Sequence, residues 1–275
     1  ASVWMDLRAG MLRLHWRQAM GLHRLRRHIH LVVAVGDRVG LQVSAWLVRR
    51  PVVHVAISDS TLLWEDGHTD PGERRLMLRC RARVFTRDEP TARVLRSLGV
   101  RAEFVGNPMM DTLEPGGRPL PVELRADEIP VALLPGSRPE AYRNFTVILD
   151  AVAHLAAEGP PGLRFLAAWS EHLPVDGLAT ALAGSSWQMS GQAGPGRDGR
   201  EGQQRWDLEL QGSRSATVHL VRGCFADVLH RARVVIGMAG TANEQAAGLG
   251  KPVIACPGFG PQVTEIGRAS CRERV

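Results

Sequence analysis

The chain has almost no lysine and almost no tyrosine. Lys251 is the only lysine among 34 basic residues, and Tyr142 is the only tyrosine among 275 residues. The arginines that make up the rest are scattered among 28 acidic residues, leaving a formal net charge of +6. With so few aromatics between the basic positions a base-stacking nucleic-acid surface is not expected, and the positive charge fits weak attraction to an anionic membrane surface somewhat better. Arginine this dominant is what GC-rich codons produce.

Long apolar runs are missing as well. Stretches such as 31–35 and 131–134 fall far short of the roughly 18–20 residues that span a bilayer, so no segment is expected to cross one. Cys80, Cys224, Cys256 and Cys271 have neither CxxC spacing nor the density of a stapled small domain, and no secretory signal leads the sequence as it stands. A cytoplasmic setting is therefore expected, with peripheral attachment at the inner face of the membrane as an addition to it. What is present is a hydrophobic content of 44%, enough for real cores in one large or two ordinary domains and enough to exclude disorder as the main state.

Both ends read as those of a fragment. The sequence opens on Ala1 and enters a helical pattern over 4–28 with no preceding strand or Gly-rich turn. At the other end, Ile266-Gly-Arg-Ala-Ser-Cys-Arg-Glu-Arg-Val275 resembles a common short-read sequencing adapter translated in frame. Residues 265–275 are accordingly expected to be a non-native tail and are set aside.

From residue 31 short apolar runs alternate with longer periodic segments, the pattern of a parallel sheet covered by helices, which predicts class α/β. Strands are expected over 31–35, 52–57, 83–86 and 102–105, with helices over 41–48 and 89–98. The Pro- and Gly-dense stretch Leu113-Glu-Pro-Gly-Gly-Arg-Pro-Leu-Pro-Val122 reads as a connector, which sets domains at 1–118 and 119–264. The second domain predicts strands over 131–134, 163–167, 218–221, 234–238 and 252–255 and helices over 139–157, 225–232 and 241–249, with a short helix around 180–182. Residues 185–214 have no clean period and read as a long surface excursion.

Two motifs can carry chemistry. In Leu133-Leu-Pro-Gly-Ser-Arg-Pro-Glu140 a strand meets a tight turn and a helix start. Gly136 lets the backbone approach a ligand, Ser137 stands at the turn, and Arg138 can make bidentate bonds to phosphate near the free N–H groups of the helix. The same residues also read as an ordinary turn, with Ser137 capping the helix and Glu140 completing a capping box. In Gly237-Met-Ala-Gly-Thr-Ala-Asn-Glu-Gln245, Gly240 frees the turn, Thr241 caps the helix and can donate to phosphate, and Glu244 is placed for both hydroxyls of a ribose or simply for the helix dipole. Pro257-Gly-Phe-Gly-Pro-Gln262 leaves the next strand at the same sheet edge. Arg27-His-Ile-His30 has no carboxylate or cysteine at ligand spacing, and no metal site is expected.

These residues carry a resemblance. The Gly-Ser-Arg turn, followed about a hundred residues later by Gly-Thr-Ala-x-Glu-Gln, resembles GT-B glycosyltransferases, and within them lipid-A-disaccharide synthase and its related proteins. Phe104-Val-Gly-Asn-Pro-Met-Met-Asp111 is similar to the segment before their interdomain connector, and Val33-Ala-Val-Gly-Asp37 to part of their N-terminal domain. The resemblance runs over about 31–262. It implies two Rossmann-like domains with parallel sheets facing a cleft, an acceptor-side half incomplete at its start, and a C-terminal half holding a UDP-sugar as donor substrate without a further cofactor. Gly136, Ser137, Arg138, Gly240 and Thr241 would hold the diphosphate and Glu244 the ribose, with Gln245 also binding the donor and Gly258, Gly260 and Gln262 near the donor sugar or diphosphate. The implied activity is transfer of a hexosamine-type sugar to a lipid-linked or glycan acceptor. The fragment itself would be inactive, because the family's acid/base loop would precede residue 1. Asp59 is the one candidate for the essential aspartate, and Asn107 stands where the synthase usually has His. The alternatives are an enzyme like UDP-N-acetylglucosamine 2-epimerase and a catalytically silent nucleotide-sugar-binding scaffold.

Overall fold

Short Val-rich strands and capped helices alternate through the first hundred residues. The computed structural model describes residues 11–36, 38–56, 60–63, 67–116, 120–190, 204–211, 215–238 and 240–259. The chain divides into two units, Ala1–Pro108 and Met109–Val275. In the first, helix α1 (Met11–Leu25) leads into β1 (Val32–Val35), α2 (Arg38–Val43) with a π-helical turn (Ser44–Val48), β2 (Val52–Ala56) and a 3-10 turn (Thr61–Leu63). Then come α3 (Pro71–Cys80), β3 (Arg83–Thr86), α4 (Glu89–Ser97) and β4 (Arg101–Glu103). The strands lie in the order β1-β2-β3-β4, all parallel, with Val33 opposite Val53 and Val55 opposite Phe85. Leu41, Met77, Val84 and Leu95 fill the core over this sheet.

Two features differ from the expectation. The helix read over 41–48 begins at Arg38 and ends in the π-helical turn. Helix α3 was not foreseen, since Asp70-Pro71-Gly72 looks like a turn. In the structure Asp70 is the N-cap, its Oδ1 accepting the Glu73 N–H at 2.8 Å, and Pro71 opens the helix, where its missing N–H costs nothing. The imidazole of His54, fully buried on β2, then ties α3 to the sheet. Its Nδ1 lies 3.1 Å from the Ala34 carbonyl and its Nε2 3.0 Å from Glu73 Oε1.

At the division stands α5 (Pro108–Asp111), N-terminal to the Pro- and Gly-rich connector. The second unit continues as β5 (Ile129–Leu134), α6 (Ala141–Glu158), β6 (Leu163–Trp169), α7 (Asp176–Ala181), β7 (Trp187–Ser190) and β8 (Gln204–Leu210). It ends with β9 (Thr217–Arg222), α8 (Phe225–Arg231), β10 (Val234–Met238), α9 (Thr241–Gly248) and β11 (Val253–Cys256). Across the sheet the order is β11-β10-β5-β6-β9-β8-β7, parallel as far as β9 and antiparallel beyond it. Taken in chain order the parallel strands follow the doubly wound Rossmann arrangement, and the winding reverses between β5 and β10.

Both faces of this sheet are covered. On α6, Phe145, Ile148, Leu149 and Val152 recur at helical spacing and pack on Val131, Leu133, Phe165 and Leu220. The opposite face holds Val228 and Leu229 of α8 and Ala246 of α9 against Ala132, Leu134, Leu166 and Val221, with Leu113 and Val122 of the connector region joining them. Among the described residues no helix is long and apolar enough to cross a membrane.

The stretch 185–214, read as a surface excursion, instead contains β7 and β8, an antiparallel extension of the sheet with Trp187 opposite Leu210 and Leu208 opposite Val218. Trp206, Leu208 and Leu210 alternate with Arg205, Asp207 and Glu209, the period of a strand, but Gly-rich sequence on either side masks it. This extension carries a polar cluster. Asp207 Oδ1 lies 2.7 Å from Nδ1 of buried His219 and accepts from Arg205 Nε at 2.8 Å, while Arg205 Nη1 donates to the Pro121 carbonyl at 3.2 Å. Burial pushes the His219 imidazole below its ordinary value, and the Asp207 carboxylate only partly offsets this. For Asp207 burial acts upward, but the hydrogen bonds from Arg205 and His219, together with their charges, outweigh it and hold the carboxyl below the usual range.

Candidate functional site

At the C-terminal ends of the parallel strands, where the winding reverses, the second unit holds a cavity of about 640 Å³. Open α/β sheets bind ligands at this position, because loops diverge there and helix N-termini point in. The loop after β5 contributes Pro135, Gly136, Ser137 and Arg138, and the loop after β10 contributes Gly240 and Thr241. The loop after β6 adds Ser170, Glu171 and His172, and Phe259 comes from the loop after β11. Phe225 and Ala226 of α8, Asn144 of α6, Gln245 of α9, Glu140 and Thr112 also line it.

Six of the residues singled out in the sequence therefore line one cavity: Gly136, Ser137, Arg138, Gly240, Thr241 and Gln245. Neither capping role holds. Helix α6 starts at Ala141 after Glu140 with no side-chain cap, which leaves Ser137 and Arg138 exposed in the turn. Helix α9 starts at Thr241 itself, preceded by Gly240 at φ 150° and ψ −179°, a conformation essentially confined to glycine. The first N–H groups of α9 have no intrahelical acceptor, and Thr241 and Ala242 bring them to the cavity wall with the positive end of the helix dipole.

Glu244 is half-buried in the first turn of α9 but is not part of the wall. Gln245 lines the cavity while its Nε2 donates to the Met109 carbonyl at 2.7 Å and lies 3.4 Å from Thr112 Oγ1, which fixes Thr112 at the rim. Gly258 packs behind the wall: a Cβ there would stand 2.5 Å from Met238 Sδ and 2.8 Å from Asn144 Oδ1. Asp59, Gly260 and Gln262 lie outside the described residues.

Sequence reasoning missed two parts of this site. Asn144, buried on α6, fastens the loop after β11 with a reciprocal pair of bonds: its Oδ1 accepts the Phe259 N–H at 2.6 Å and its Nδ2 donates to the Phe259 carbonyl at 3.1 Å. The Arg143 guanidinium lies 3.4 Å from the centre of the Phe259 ring and holds it from outside. The second missed part is the Ser170–His172 loop. Trp169 Nε1 donates to the Leu173 carbonyl at 3.0 Å and Arg222 Nη2 donates to the Glu171 carbonyl, which anchors the loop at its middle and just after its end. Its signal was its place after a buried strand, the same signal that exposed the other loops. Trp169 itself is core, tilted against Tyr142 and Phe145 with centroids 5.5 and 5.6 Å away.

The arrangement suits an anionic ligand of extended shape. Arg138 and the α9 N-terminus provide positive potential from two sides, Ser137 and Thr241 provide hydroxyls, and Phe225 and Phe259 provide apolar surface. Glu171 and His172 are titratable groups exposed at the same strand ends.

No protein-family model matches the chain, and no curated protein matches its sequence. Solved structures do. MnaA of S. aureus in a co-structure with UDP is 14% identical with a TM-score of 0.53, over 87% of this chain and 61% of that one. A putative UDP-N-acetylglucosamine 2-epimerase from Listeria monocytogenes is 15% identical with a TM-score of 0.51, over 91% of this chain and 63% of that one. The chain thus spans about three-fifths of the length of these structures. The likeness establishes the fold alone, α/β with two Rossmann-like units of the GT-B kind. It gives no support specific to lipid-A-disaccharide synthase.

Proposed function

We propose that the second unit binds the UDP part of a UDP-sugar, and that the chain is the core of an enzyme resembling UDP-N-acetylglucosamine 2-epimerase. The observation that carries this reading is the convergence of Gly136–Arg138, Gly240–Thr241 and Phe259 on one cavity at the reversal of the winding, on a fold shared with a UDP-bound structure. In this reading the diphosphate spans Arg138 and the N-terminus of α9, with Ser137 and Thr241 donating to its oxygens. Glu244 remains the carboxylate assigned to the ribose, with Gln245 beside it. Inversion at C2 of the sugar requires loss of the C2 proton as the C1–O bond to UDP breaks, which leaves a C1=C2 double bond, and then return of UDP to C1 and of a proton to the other face of C2. Glu140, Glu171 and His172 are the carboxylates and imidazole on the cavity wall for such proton transfers.

Sugar transfer is the second reading, favoured by the order of the Gly-Ser-Arg and Gly-Thr-Ala-x-Glu-Gln segments, which resembles the synthase. Products separate the two. Incubation of the full-length protein with UDP-N-acetylglucosamine, followed by proton NMR, is expected to show the C2 epimer without an acceptor. Release of UDP only when a lipid-linked acceptor is added would replace this reading with the transferase. Absence of both products would leave a nucleotide-sugar-binding scaffold.

A further inference from the structure

Charge is distributed very unevenly in this chain. Residues 11–36 contain five arginines and four histidines and no aspartate or glutamate, although acidic residues are scattered through the remainder. Most of these basic residues lie on or just after α1, which packs on the π-helical turn Ser44–Val48. The outward side is not simply polar. Trp16 is 69% exposed and Met20 38% exposed, one helical turn apart on the same face. Arg13, Arg17 and Arg24, all exposed, form the adjoining stripe. The turn against which α1 packs presents a second exposed indole, Trp46 at 58%, with the Arg79 guanidinium 4.4 Å above it.

An indole and a thioether held in water beside a row of guanidinium groups are unfavourable for a helix surrounded by solvent. They match a bilayer interface, where the apolar side chains enter the headgroup boundary and the arginines meet anionic headgroups. We infer that α1 is a docking surface for an anionic lipid bilayer, lying in the plane of the interface with Trp16 and Met20 inserted and Arg13, Arg17 and Arg24 on the headgroups. Charge complementarity selects the anionic bilayer: the segment supplies positive charge alone, and Trp16 and Met20 add an apolar requirement that a phosphodiester backbone does not meet. This inference stands apart from the nucleotide-sugar reading, because it concerns the first unit and needs no ligand in the cavity.

Co-flotation of the full chain with vesicles tests it. Phosphatidylcholine vesicles containing phosphatidylglycerol are expected to carry the protein up the gradient, and pure phosphatidylcholine vesicles are not. Binding should weaken about fivefold for each arginine among Arg13, Arg17 and Arg24 replaced by Gln, a substitution that keeps helix propensity. On the unaltered chain, anionic vesicles should shield Trp16 from acrylamide, read as the difference from Trp16→Phe. Equal flotation with neutral and anionic vesicles would overturn the inference. So would unchanged binding of the triple-Gln variant, unshielded Trp16, or tighter binding to a duplex DNA oligonucleotide than to the anionic vesicles.

Discussion

Asn144 shows how one amide organises the candidate site. It is buried at 5% exposure and exchanges two hydrogen bonds with Phe259, 115 residues further along the chain. Asn144→Ala removes both bonds to Phe259 and is expected to cost about 0.5–1.5 kcal/mol, the usual net worth of a hydrogen bond whose partners on the exposed Phe259 return to water. Urea unfolding should reveal that loss, and UDP titration should show weaker binding because Phe259 no longer closes the wall; a variant as stable as the parent would show the clamp to be incidental. Gly240→Ala is expected to be worse for binding than for folding. A Cβ at φ 150° forces the turn open and tilts the first N–H groups of α9 away from the cavity. Loss of stability with UDP affinity intact would contradict this. Asn144 was invisible in the sequence because its partner is distant in the chain, whereas Gly240 was legible because the constraint it serves is local.

Elements reported themselves unevenly for similar reasons. The Asp207–His219 contact joins β8 to β9, and Arg205 extends it to the connector, so its titration bears on how the sheet edge is held. Both groups have folded values below their ordinary ones, His219 through burial and Asp207 through its hydrogen bonds and charges against burial. The unfolded chain therefore binds protons more readily, and stability contributed by the pair is complete above about pH 6.5 and is lost as pH falls, first through His219 and then through Asp207. The thermal midpoint is expected to fall on acidification from neutral pH, and His219→Gln should flatten the upper part of that fall; an unchanged slope would remove His219 from the account. Parallel strands such as β5 and β10 were readable as buried apolar runs. The strand β8 was not, because half of each alternation is charged and the flanking sequence is rich in Gly. Helix α3 was missed because Pro-Gly signals a turn unless the preceding Asp is recognised as a cap.

Both units are built on a parallel sheet covered by helices. In the second unit the loops at the C-terminal strand ends come together as a cavity, at the position where the winding reverses. The paired motifs forecast that place, since strand, glycine and helix start are adjacent in sequence. They do not decide between epimerase and transferase chemistry, because a fold by itself does not fix the reaction. In the proposed function the diphosphate is the central element, held between Arg138 and the α9 N-terminus. Calorimetric titration of the chain and its Arg138→Ala variant with UDP, UDP-N-acetylglucosamine, GDP-mannose and uridine tests it most directly. UDP and UDP-N-acetylglucosamine are expected to bind more tightly than uridine or GDP-mannose, and Arg138→Ala to weaken UDP by about 1.5–3 kcal/mol while leaving uridine nearly unchanged. Equal affinity for UDP and uridine, or no binding of either, would contradict it.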